Sequence, residues 1–269
     1  MKRRVFMISD RTGLTVESLG DSLLSQFENV EFEKETLPYI DTAEKAKEVI
    51  DKIHSTTEEV KPIVLITLIN PDISACFKEI NACVLDLFGT FLKSLENELG
   101  EKSSYTVGKT HALADIKSYD QRIEAINYTL AHDDGIQIKG YAEADIILVG
   151  VSRSGKTPCC LYMALQFGVF AANYPFTDED LTNSSLPPAL KPYKDKIFGL
   201  TIEPQRLEHI RRSRRPNSQY ASSNQCVVEI KTIEKLYKEE GIPFLNSTHY
   251  SIEEIATKIM AKSGINRRI

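Results

Sequence analysis

Residues 150–157 read Gly-Val-Ser-Arg-Ser-Gly-Lys-Thr, the pattern G-x-x-x-x-G-K-T. Each fixed position has a chemical reason. The glycines let the backbone turn so that several N–H groups converge on one anion. A helix starting at the lysine adds its N-terminal partial positive charge. The lysine reaches terminal phosphates, and the threonine hydroxyl serves a magnesium ion. Gly150, Val151, Ser152, Arg153, Ser154, Gly155, Lys156 and Thr157 are therefore nucleotide-binding candidates. Lys156 is also a catalytic candidate, and Thr157 is the metal-ligand candidate. The apolar run before the loop, ADIILVG, reads as a strand, and the residues after it have helical periodicity.

Magnesium in such a site also needs a carboxylate near a strand end. Glu203 follows IFGLTI and Asp10 follows VFMIS, so both qualify. Each reads equally well as a turn or helix-cap carboxylate. Arg206 and the cluster Arg211, Arg212, Arg214 and Arg215 form a basic segment. Arginine forks suit phosphate and transition-state charge, while a solvated helix face explains the same run. Of the histidines, His111 is a candidate base or phosphate contact, and His249 lies between the last strand and the last helix. His132 adjoins Asp133 and Asp134, a pair that reads as the end of a helix. The five cysteines, with Cys159 and Cys160 adjacent, fit neither a disulfide framework nor a zinc site.

Strands alternating with amphipathic helices must position these residues. Residues 4–9, 30–40 and 62–69 read as strands, with helices over 16–27 and 42–53, the latter capped by Asp41 or Thr42. A strand-like piece lies in 82–88 within a mostly helical middle. A helix over 118–132 stops at Asp133-Asp134-Gly135. After the phosphate loop come a helix to Gln166, a strand over 169–175, and a polar, proline-marked loop over 177–194. A strand ending at Glu203, helices over 206–214 and 224–240, a strand over 242–248 and a capped last helix complete the chain. This order predicts an α/β protein of two layered strand–helix units, the second a phosphate-loop domain with a mainly parallel sheet. The expected division is 1–140, with a possible share in binding a target, and 141–269, with a junction near 135–142. No internal repeat or low-complexity tract is visible.

The chain has 269 residues, 42% hydrophobic and 26% charged, with a net charge of -5. That is ordinary for a globular protein and gives no general reason to expect nucleic acid binding. The N-terminal MKRRVFMISD carries an apolar run of four residues, short of a signal-peptide core. No run approaches a membrane span. A cytoplasmic protein with reduced thiols is the expectation.

Longer segments carry a resemblance. GVSRSGKTPCCLYMALQFGVFAANYPF, with SDRTGLTVESLG, IFGLTIEPQRLEHIRRSRRPNSQYAS and IPFLNSTHYSIEEIATKIM, is similar to the phosphoenolpyruvate synthase regulatory proteins. These share a family with the pyruvate, phosphate dikinase regulators. KTHALAD and YDQRIEAINYTLAHDDG extend the likeness over almost the whole chain, and RRPNSQYAS resembles the synthase branch. The resemblance implies a bifunctional enzyme. One activity phosphorylates a threonine of phosphoenolpyruvate synthase from ADP and inactivates it. The other uses inorganic phosphate to remove the mark, releasing pyrophosphate. Under that implication residues 150–157 hold ADP, with Mg2+ as expected cofactor. Asp10 and His111 are candidate bases, and Arg211, Arg212, Arg214 and Arg215 are candidate phosphate or target contacts. A homo-oligomer is compatible with this reading. The residues alone leave ADP or ATP open, and equally a small-molecule kinase or a non-catalytic nucleotide sensor.

Overall fold

The computed structural model describes residues 1–55, 60–106, 116–183, 185–216 and 218–269. Chain contacts divide it into Met1–Leu113 and Ala114–Ile269.

In the first unit, strands β1 (Lys2–Ser9), β2 (Glu31–Leu37), β3 (Ile63–Thr67) and β4 (Cys83–Asp86) form one sheet in the order β2-β1-β3-β4. All pairs are parallel. Helices α1 (Leu14–Leu24), α2 (Ala43–Ser55), α3 (Pro71–Ala75) and α4 (Leu87–Leu99) connect or follow the strands. Thr42 begins α2, its Oγ1 accepting the Lys45 N–H at 3.3 Å. The central strands are buried on both faces, as near-continuous apolar runs require. Phe6 and Ile8 pack with Val49 and Ile53 of α2, while Val5 and Met7 pack with Val16 and Leu24 of α1.

The second unit opens with α5 (Ile116–Ala131) and builds a second all-parallel sheet. Its strands are β5 (Ile146–Gly150), β6 (Ala171–Pro175), β7 (Ile197–Thr201) and β8 (Phe244–Asn246), in the order β6-β5-β7-β8. Helices α6 (Lys156–Phe167), α7 (Asp178–Asn183), α8 (Pro204–Arg214), α9 (Ser223–Glu239) and α10 (Ile252–Ser263) complete it. β5 shows the two-residue period clearly. Ile146 and Leu148 face α6 and α10, and Ile147 and Val149 face the core shared with α8 and α9. The capping box of α10 forms as the sequence predicts, between Ser251 and Glu254.

Two sequence expectations change. The junction falls before α5, not at 135–142, because α5 packs within the second unit: Tyr128 stacks on Phe170 at 4.8 Å. The stretch expected as loop over 177–194 contains α7, because Thr177 caps it. The Thr177 Oγ1 accepts the Asp180 N–H while the Asp180 carboxylate accepts the Thr177 N–H. The two sheets also share one strand order, a repetition of fold that the sequence did not display.

Candidate active site

In a sheet ordered this way, neighbouring central strands send their following connections to opposite faces. That opens a crevice at their carboxyl ends. In the second unit the crevice lies beyond β5 and β7, and residues 150–157 occupy it. Gly150 has no room for a side chain: a Cβ there would lie 2.6 Å from the Leu200 carbonyl oxygen. Gly155 caps α6 with φ +96°, a left-handed conformation that glycine adopts freely. Arg153 is left-handed too, at φ +76°, which is strained for a residue with a side chain. Left-handed residues alternating with right-handed ones make a concave row of N–H groups suited to an anion.

Lys156 is 4% exposed and donates from Nζ to the Val151 carbonyl at 3.0 Å. Burial pushes its ammonium down to about 8, against the opposing pull of Asp134 and Asp133. Thr157 Oγ1 donates to Asp133 Oδ1 at 2.8 Å. Asn173, fully buried in β6, donates to the same carboxylate from Nδ2 and accepts the Asp134 N–H on Oδ1 at 3.1 Å. Asp134 is held at φ +49°. One asparagine thus fixes the Asp133–Asp134 turn against the phosphate loop. His132 supports the turn from behind. Its carbonyl accepts the Asn173 N–H at 3.2 Å, and its ring fits against Gly140, where a Cβ would lie 1.8 Å from Nε2.

Ser152, Arg153, Gly155, Lys156 and Thr157 line a cavity of about 510 Å³ with the two aspartates, closed on another side by Ile210 and Arg214 of α8. The volume lies within the range of small-ligand pockets. Its wall carries a lysine, two arginines, two carboxylates and two hydroxyls, a set suited to a phosphorylated ligand with a divalent cation.

The structure sorts the other candidates. Arg214 lines the cavity, and Arg212 is exposed and pairs with Glu208 at 2.7 Å. Arg215 is exposed. Arg211, expected among the phosphate or target contacts, is instead 1% exposed. It is bound through both terminal nitrogens to Glu229, at 3.0 and 2.7 Å. Glu203 and His249 face each other at 3.3 Å on the surface and are not among the cavity-lining residues. Asp10 belongs to the first unit, where it is 5% exposed and accepts the Ile69 N–H at 3.1 Å. His111 lies outside the described residues. Cys159, Cys160 and Cys226 are buried thiols, and Cys76 and Cys83 are exposed ones.

Sequence reasoning missed Asp133, Asp134 and Asn173 as site residues. A doubled aspartate before glycine looks like a helix stop, and it is one. Its second role depends on β6 lying beside β5, which no local pattern states.

A family profile described as Kinase/pyrophosphorylase matches residues 5–260. The chain belongs to the kinase/pyrophosphorylase family. A protein of Legionella pneumophila (strain Corby) is 58% identical over the full length of both chains. One of Hahella chejuensis is 54% identical, also over the full length of both. One of Pseudomonas aeruginosa (strain LESB58) is 53% identical over all of this chain and 98% of its own. All three bear the name "Putative phosphoenolpyruvate synthase regulatory protein". Membership in this kinase/pyrophosphorylase family makes the chain a kinase-like phosphotransferase, and the cavity at residues 150–157 has the groups such chemistry needs. Among the described residues no helix is long and apolar enough to cross a membrane.

Proposed function

We propose that this chain regulates phosphoenolpyruvate synthase by adding phosphate to one of its threonines and removing it again. The observation that carries the reading is the full-length similarity, at 58% identity, to a protein named for that regulation. The intact phosphate loop facing Asp133 supports it.

In the forward reaction the target threonine oxygen attacks the β-phosphorus of ADP. The bond from that phosphorus to the α–β bridging oxygen breaks, AMP leaves, and the threonine proton passes to a base. In the reverse reaction an oxygen of inorganic phosphate attacks the phosphothreonine phosphorus. The threonine oxygen leaves and takes up a proton, and the two phosphates depart as pyrophosphate. Both steps depend on alignment and charge neutralisation. Loop N–H groups and Lys156 would hold the diphosphate, and Arg214 and Arg153 would balance charge at the cavity mouth. The oxygen-only donor set of the Thr157 hydroxyl and the Asp133 carboxylate fits magnesium, and those two residues would hold it. Magnesium, when bound, neutralises phosphate charge. Asp134, on the cavity wall, is a candidate for the proton.

The test supplies purified protein with phosphoenolpyruvate synthase phosphorylated on its catalytic histidine, and β-labelled ADP beside labelled ATP. Label passing from ADP to a threonine is expected, and added phosphate should then release labelled pyrophosphate. Label from ATP alone would replace the donor. Nucleotide binding without transfer to a competent target would make the chain a sensor.

A further inference from the structure

Three carbonyl oxygens of the phosphate loop are gripped by side-chain donors. Lys156 Nζ holds the Val151 carbonyl at 3.0 Å. Arg211 Nη2 holds the Ser152 carbonyl at 3.2 Å. Ser247, just beyond β8, donates from Oγ to the Ser154 carbonyl at 3.1 Å, and the same oxygen lies 3.1 Å from the Thr201 carbonyl. Lys156 belongs to the loop itself, while Arg211 and Ser247 come from elsewhere in the unit.

A trans peptide holds its C=O and N–H on opposite sides. Fixing the Ser152 carbonyl therefore turns the Arg153 N–H the other way, and fixing the Ser154 carbonyl does the same for the Gly155 N–H. Arg153 and Gly155 are the two loop residues in the left-handed conformation, and both line the cavity. We infer that Arg211 and Ser247 are positioning residues for phosphate recognition. They pull two loop carbonyls back so that the Arg153 and Gly155 N–H groups face the anion. The inference rests on reading the cavity as a phosphate site.

The surroundings of Arg211 suit that task. Glu229 takes both of its terminal nitrogens, and Gln225 Nε2 donates to Glu229 Oε1 at 3.0 Å. Arg211 Nη1 also donates to the Tyr220 carbonyl at 3.0 Å, and the guanidinium lies 4.1 Å from the Tyr220 ring centre. The Tyr220 hydroxyl donates to Ser152 Oγ at 2.9 Å. Ser152 is thus held at its backbone and its side chain by one buried cluster. A lysine cannot reproduce this, because its single ammonium lacks the planar fork.

The experiment titrates ADP and AMP into the full chain by calorimetry, with magnesium present, for the parent, Ser247→Ala, Ser247→Thr and Arg211→Lys. Ser247 is half-buried and its backbone N–H bond to Thr201 survives truncation, so Ser247→Ala should fold like the parent. Its ADP affinity should fall about threefold to tenfold, the size of one hydrogen bond. AMP binding should fall less, so the preference for ADP over AMP shrinks, and Ser247→Thr should restore it. Arg211→Lys should move the same ratio further. A general loss of folding would weaken both nucleotides together, so the ratio separates positioning from structure. Parental ADP and AMP affinities in both Ser247→Ala and Arg211→Lys would overturn the inference, as would equal loss of both nucleotides in both variants. If the parent itself bound no ADP, this inference and the proposed function would fall together. If the parent bound ADP and transferred label while the variants bound as it does, only this inference would fall.

Discussion

The molecule contains two loops at the same place in the same fold, and they offer an anion very different groups. Residues 9–15, from the last residue of β1 onward, read Ser-Asp-Arg-Thr-Gly-Leu-Thr, and residues 151–157, after β5, read Val-Ser-Arg-Ser-Gly-Lys-Thr. Each follows a central strand, beside the crevice of a sheet with matching strand order. Each contains a left-handed glycine that caps the next helix, Gly13 at φ +86° and Gly155 at φ +96°. The differences are chemical. Lys156 corresponds to Leu14, Ser152 to the buried carboxylate Asp10, and Gly150 to Ile8. Arg153 is left-handed and Arg11 is not. In the first loop the Ser9 and Arg11 carbonyls are held by backbone N–H groups of Ile40 and Tyr39. The Arg11 N–H is spent on Ser9 Oγ at 3.2 Å. A strand, a glycine and a helix are thus a scaffold. Under the proposed function the anion site would come from a lysine, a serine where the first loop has its own carboxylate, and carbonyls fixed in the right planes.

The largest effect should come from making the second loop resemble the first. Lys156→Leu removes the buried ammonium and should lower phosphotransfer by at least about a hundredfold, with ADP binding weakened in calorimetry. Gly155→Val should do the same, since a β-branched residue is strained at that φ. Full activity in either variant would remove the loop from the mechanism.

Asp133→Asn tests the partner the first loop lacks. It keeps the size of the side chain facing Thr157 but removes the charge. Activity should drop about tenfold to a hundredfold, and the magnesium concentration for half-maximal rate should rise. A rate loss with unchanged magnesium dependence would leave Asp133 as a support for Thr157 alone.

A smaller effect is expected with pH. Burial lowers the Lys156 ammonium to about 8 in the empty protein, and a bound diphosphate favours its charged form and raises it again. Below that value the lysine is protonated both free and bound, so ADP affinity should be flat. Above it, binding must take up a proton, and affinity should fall by up to about tenfold per pH unit. Lys156→Leu should abolish the slope. An identical slope in that variant would assign the titration to another group.

Much of this comparison was legible in the sequence, but unevenly. The strands and helices around residues 150–157 follow from apolar runs and helical spacing, and the loop announces itself by its fixed residues. The Asp133–Asn173 pairing did not show, because it joins residues 40 positions apart through strand order. Arg211 looked like its exposed neighbours, since a basic run on a helix does not reveal which member points inward. Its partner Glu229 lies 18 positions away on α9. The repeated fold escaped notice because little beyond the loop residues is shared. Two sheets of the same order need only alternating apolar runs, which many side chains satisfy.

The smallest effect should be that of the reverse exchange. Leu14 is 67% exposed at the start of α1, so Leu14→Lys costs little stability and restores the missing cation. It should nevertheless create no ADP site. Asp10, 5% exposed in the position of Ser152, keeps a negative charge beside the place a phosphate would occupy. The held carbonyls are those of Ser9 and Arg11, not the pair corresponding to Ser152 and Ser154, so the N–H groups turned by them are different ones. Calorimetry on Leu14→Lys in a Lys156→Leu background isolates the first loop, and no heat of ADP binding is expected. Adding Asp10→Ser should still yield binding far weaker than the second loop gives, because carbonyl anchors like Arg211 and Ser247 would be missing. Binding comparable to the parent from Leu14→Lys alone would show that the lysine by itself makes the site, and that the peptide planes matter little.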